Sequence, residues 1–390
     1  MKMETIHRRC FFGLVVLLAG TSHAQTALQN AGNLRIHENG QLGFHTDLIN
    51  NGILDENQGL VGFYGDNTID VSGAVPATFN DVEFATSIAT VLRTSLNVSN
   101  NANFITGNVL TPREESTVTL NFLENAFYNG EGDINKVDGY ASITQQQNFT
   151  FPVGDFQQLR PLILESQGVN AFANCAYFSE DPNNPTTFAT SFDTQNKPAS
   201  LGEISTREFW RLEGSVPSTI QISWNAQSDM AALTDDVTTI VPVGWSKSAN
   251  QWVSLGNSGG VGDLTEGFTT SISFVPDDYE IITFGGAGEP LEALDLGNYL
   301  VTPNGDGRND VLEIPELEQS PNNTVRIFDR FGLKVFEKDN YTDEFDGFAT
   351  TGTVVINKEK GLPSGVYFYV ATLHDLGLEF QGFLYLSARR

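Results

Sequence analysis

The chain has 390 residues, with 48 Asp and Glu against 21 Lys and Arg, a formal charge of −27. A field of that sign repels nucleic acid and anionic membranes, so charge-driven binding to either is excluded. Two cysteines in a chain this long exclude a disulfide-stapled scaffold; many short alternating runs rich in Gly, Asn, Thr and Phe point to an all-β protein.

Residues 1–24 read as a secretory signal peptide. Lys2, Arg8 and Arg9 form the basic start, an apolar stretch covers 10–19, and Ser22 and Ala24 place small residues before a cut after Ala24. That stretch is too short to span a bilayer, and no second long apolar run follows, which predicts a mature chain without a transmembrane segment. Cys10 leaves with the signal. Cys175 then stands alone in an apolar run, as a buried structural thiol, and no intramolecular disulfide can form.

Residues 25–159 repeat. Gly40, Leu42, Gly43 and Phe44 align, nineteen residues on, with Gly59, Val61, Gly62 and Phe63. A third copy matches Leu96, Val98, Ala102 and Phe104 to Leu34, Ile36, Gly40 and Leu42. Repeats near twenty residues, with Asn and Gly at the corners, predict β-solenoid-like rungs stacked into one core. Leu34, Ile36, Leu42, Phe44, Ile53, Val61, Phe63, Leu96, Val98 and Phe104 would face inward. The alternative is a sandwich with similar hairpins.

From 160 to 286 the strands lengthen, as at 219–224, 239–243, 270–274 and 279–284, which predicts a central antiparallel β-sandwich of roughly immunoglobulin-like type. Trp210, Trp224, Trp245 and Trp252 would fill its core; read otherwise, they would line a sugar platform. Residues 287–296 are a Gly- and Glu-bearing linker, flexible by composition.

Residues 297–390 open with a turn-rich loop holding Pro303, Asn304, Gly305, Asp306, Gly307, Asn309 and Asp310. A hairpin turning at Gly332 follows, then Asp346 and Gly347, then Pro363, Gly365, Tyr367 and Tyr369 at the start of a strand, and a final strand with Gly382. In this order and spacing the tail resembles the gliding-motility-associated C-terminal domain of Bacteroidetes, the type B sorting domain of type IX secretion cargo. The resemblance implies a small immunoglobulin-like β-sandwich. It also implies Sec-dependent passage to the periplasm, then recognition by the type IX translocon and an outer-membrane sorting partner. The destination would be the cell surface or the medium.

One spacing carries coordination chemistry. With Thr302 as position 1, Asn304, Asp306, Arg308, Asp310 and Glu313 fall at the ligand positions of an EF-hand-type loop, and Gly307 at its turn. Ca²⁺ is therefore the one cofactor the sequence admits. Thr302 replaces the usual acid and Glu313 opens a strand, so the other reading is an Asx-rich turn closed by side-chain-to-backbone hydrogen bonds.

Catalytic constellations are hard to find in the sequence. Past the signal only His37, His45 and His374 remain, without a metal-spaced His/Cys cluster, a nucleophile elbow or a phosphate loop. Glycosidase carboxylates pair in space and leave no spacing to read. The sequence thus predicts a non-enzymatic structural or adhesive protein that meets an extracellular polysaccharide or surface protein. The alternative is a polysaccharide-binding or polysaccharide-degrading module.

Overall fold

The computed structural model describes residues 27–287, 297–315, 317, 320–350, 361–374 and 378–387. The expected signal peptide and the linker from 288 lie outside the described residues. Strands dominate, interrupted by short 3₁₀ turns, and no helix among the described residues is long and apolar enough to cross a membrane. Two compact units divide the chain: 27–112 with 117–135, and 113–116 with 136 onward.

The first unit is a β-solenoid of about six turns. One parallel ladder joins Ala27–Asn30, Asp47–Asn50, Ile69–Ser72 and the far ends of Ala77–Leu92 and Leu96–Leu110. A second joins Gln41–Phe44, Leu60–Gly65, the middle of the two long strands and Phe127–Asn129. The starts of the long strands and Leu120–Phe122 make the third.

Parallel in-register pairing stacks equivalent side chains directly over one another, because each rung repeats the inward position of the last. Phe44, Phe63, Phe84 and Phe104 form such a column, with ring centroids 5.2, 5.8 and 5.7 Å apart, each ring at most 2% exposed. Corners are held by amides: Asn30 donates to the Asn50 carboxamide oxygen at 2.8 Å, and Asn50 donates to the Val75 carbonyl at 2.8 Å. At this corner each rung therefore satisfies buried polar groups of the next.

The nineteen-residue repeat appears as strand register, with Leu42 opposite Val61 and Phe44 opposite Phe63. The third copy sits two residues out of the expected alignment. Phe104 continues the Phe44 column through Phe84, and Ala102 continues Leu42 through Val82 and Val61. Successive rungs of this ladder are offset by 19, 21 and 20 residues, and the offset changes again along the long strands, so one sequence offset cannot serve every face. Ile53 is a second correction: it is 53% exposed at a corner bridge, and Leu54 takes the inside place. Leu34 and Leu42 are half-buried on the first described rung.

The second unit contains the sandwich. Ala141–Ile143, Ala173–Phe178, Phe209–Gly214, Tyr279–Ala287, Ile240–Ser246 and Gln251–Ser254 pair antiparallel in one sheet. The second sheet runs Gln146–Phe151, Leu162–Asn170, Ser218–Trp224, Gly267–Thr270, Gly259–Gly262. All four tryptophans are buried, the most exposed at 5%. Three indole N–H groups donate to carbonyls: Trp210 to Arg160 at 3.0 Å, Trp224 to Asp263 at 2.7 Å, Trp252 to Phe192 at 3.4 Å. These are core tryptophans with their polar edges satisfied. Cys175 is fully buried, and burial pushes its thiol well above the usual range.

In the tail, Tyr299–Val301, Leu378–Leu386, Gly365–Leu373, Asn323–Phe328 and Lys334–Asp339 form a five-stranded sheet in that order. The first pair is parallel and the rest antiparallel. Alternation sends Val325, Ile327, Tyr369, Ala371, Leu384 and Leu386 to one face. Loops carrying Leu312, Ile314, Tyr341, Phe345 and Leu362 cover them, as the second layer of a small sandwich.

Candidate functional site

The conspicuous motif residues of the tail are brought together at one end of its sheet. In the loop 303–310, the Asp310 carboxylate accepts backbone N–H groups of Asn304 at 2.8 Å, Gly305 at 2.6 Å and Gly307 at 2.8 Å. Asn304 accepts the N–H of Asp306, and Asp306 that of Arg308, both at 2.9 Å. Gly305 and Gly307 have φ of +80° and +81°, and Asn309 has φ of 51°. Left-handed residues turn successive N–H groups toward one point, and the chain places its own carboxylate there.

The side chains named for calcium thus meet in part. Asn304, Asp306 and Asp310 share the loop, but their oxygens receive backbone donors, which is the turn arrangement. Glu313 is exposed, between the buried Leu312 and Ile314. Among the described residues no group of three or more His, Cys, Asp or Glu gathers in a metal-holding set.

Beside this loop lies a hollow of about 320 Å³. Pro303, Gly305, Asp310, Asp346 and Gly347 line it, closed by the end of the last strand at Leu386. Gly347 has φ of +87°, and a Cβ there would stand 3.1 Å from Leu386 and 3.3 Å from Pro303. A side chain would fill the hollow's throat. Segments far apart in sequence therefore converge on one concavity because the last strand ends between two turns.

The remaining motif residues do structural work elsewhere. Gly332 turns the hairpin, where Asp329 accepts the N–H groups of Phe331 at 2.8 Å and Leu333 at 2.9 Å. Tyr367 donates to the Pro363 carbonyl at 2.9 Å, just before Gly365. Tyr369 donates to the Gly297 carbonyl at 3.0 Å, and its ring leaves no room for a Cβ at Gly382, which would lie 2.6 Å from the hydroxyl.

Two contributors escape sequence reading. Tyr341, buried and donating to the Leu312 carbonyl at 2.5 Å, ties the loop after the first turn to the core. Burial first, then nearby carboxylates, raise its phenol above the usual range. Its ring joins Phe336 and Phe345 in an edge-packed cluster. Leu386 was visible only as one more residue of an alternating strand.

Residues 294–386 match the family model described as the CHU_C type IX secretion signal domain. The tail's resemblance to a sorting domain therefore holds, and it implies export by the type IX secretion system to the cell surface or the medium. No curated protein and no solved structure matches the chain.

Proposed function

We propose that the chain is a non-enzymatic structural or adhesive protein, carried out of the cell by its tail and working by contact. The match of residues 294–386 carries the export half of this reading. The exported body supports the other half. The Phe column and the amide-stitched corners make a repetitive rod, a form that suits spacing and contact. The four tryptophans that would have formed a sugar platform are spent on the sandwich core.

Truncation tests it. In a type IX-competent host, a chain ending at residue 287 should accumulate in the periplasm while the full chain reaches the surface or medium. Truncated chain outside the cell at full-length levels would defeat the export reading. For the contact role, cells lacking the protein should lose attachment to surfaces or to one another. Unchanged attachment, with a polysaccharide left uncleaved only in the mutant, would favour a degrading module instead.

A further inference from the structure

One wall of the sandwich holds a polar hollow of about 360 Å³, within the range of small-ligand sites. Its floor is made of buried polar groups. Arg160 and Glu208, each 2% exposed, pair in bidentate fashion, Nε to Oε2 at 2.9 Å and Nη2 to Oε1 at 2.6 Å. Arg160 also donates to the Ser228 hydroxyl at 2.9 Å and lies over the rings of Tyr177 and Trp210. Tyr177 donates to Glu208 Oε2 at 2.8 Å and accepts from Gln158 at 3.2 Å; Asn225 then donates to Gln158 at 2.7 Å. A buried ion pair is a poor route to stability. What this network provides is a rigid, pre-arranged polar floor.

The rim differs in that several of its groups are free. The side chains of Ser179, Thr206 and Gln227, from three separate segments, make no hydrogen bond within the described residues. Arg207 uses one nitrogen on Asp229 at 2.8 Å and stays exposed. On the tight turn that carries Gln158, Phe156 is 85% exposed.

Charge narrows the occupant. Glu180, Asp181 and Glu208 border the hollow, and their negative field disfavours an anion. Each is also committed: Glu180 to Thr186 and Thr187, Asp181 to Asn183, Glu208 to Arg160. Among the described residues they form no metal-holding set. A peptide would need an apolar anchor pocket, and every side chain of the lining is polar. What fits is a neutral, hydroxyl-rich ligand.

We propose that this hollow is a binding subsite for a neutral sugar unit of an extracellular polysaccharide. Ser179, Thr206, Gln227 and the spare N–H groups of Arg207 meet its hydroxyls, and Phe156, outside the lining but two residues before Gln158, offers its exposed ring to the apolar face of an adjoining unit. This gives the contact role a ligand class, and it rests on that reading.

The test is calorimetric titration of the whole exported chain with short neutral gluco-, manno- and chito-oligosaccharides, and with polygalacturonate as the anionic counterpart. At least one neutral series should bind. Gln227→Ala and Phe156→Ala should each weaken it about tenfold, the effect of losing one good contact. Both residues are exposed, so the melting temperature should hold in each variant. Neutral sugar bound equally by the wild type and both variants would place the site elsewhere. No neutral saccharide bound, or polygalacturonate bound more tightly, would overturn the proposal outright. Failure of the contact reading looks different: attachment of cells lacking the protein would be unchanged, whatever the titrations gave.

Discussion

Phe63 is where the solenoid should be most sensitive. The ring is fully buried and stacks between Phe44 at 5.2 Å and Phe84 at 5.8 Å, with Phe79 edge-on at 6.2 Å. Truncating a buried Phe to Ala costs about 3–5 kcal/mol, less where the surroundings collapse into the cavity. Collapse is hindered here, since the rungs are held about 4.8 Å apart by backbone hydrogen bonds on every face. Phe63→Ala should therefore cost about 4 kcal/mol. Because rungs couple chiefly to their neighbours, the loss should stay local. Urea unfolding gives the magnitude, and hydrogen exchange gives the place. Protection should fall across the rungs at 41–44, 60–65 and 81–86, and persist in the tail strands Gly365–Leu373 and Leu378–Leu386. Ile53→Asp, at an exposed corner, serves as the control and should change stability by no more than about 0.5 kcal/mol. A cost below about 1 kcal/mol for Phe63→Ala, or one matched by Ile53→Asp, would refute the idea that the ring column holds the stack.

Tyr64 supplies a pH signature. Burial, then its 2.5 Å hydrogen bond to Glu83 and the charge of that carboxylate, push its phenol up to about 12 from 10.0. A pKa raised by folding gives stability that is present below pH 10 and lost as pH rises toward 12. Tyr64→Phe should flatten that alkaline loss in a denaturant series; an unchanged slope would deny the coupling. In the tail, Asp310→Ala leaves three backbone N–H groups without their acceptor and should destabilise the domain by about 1–2 kcal/mol. Millimolar calcium should leave the wild-type melting temperature where it was. A calcium-induced rise that Asp306→Asn abolishes would instead establish the coordination reading.

The sequence by itself determined the class of the fold and the address of the protein. Inward Phe and Val positions recur because every rung solves the same burial problem, so the period is written in the residues themselves. The tail's glycines and Asx residues are equally legible, since left-handed turns and backbone-capping carboxylates tolerate few alternatives. Tertiary structure alone decided the rest. Strand pairing set which phenylalanines share a column, and a corner chose Leu54 over Ile53, because register depends on strand pairing and not on composition. The four tryptophans were chemically ambiguous until burial assigned them to the core. The hollow above Arg160 and Glu208 left no trace in sequence, because its walls come from turns scattered from Gln158 to Gln227 and meet only when the two sheets close.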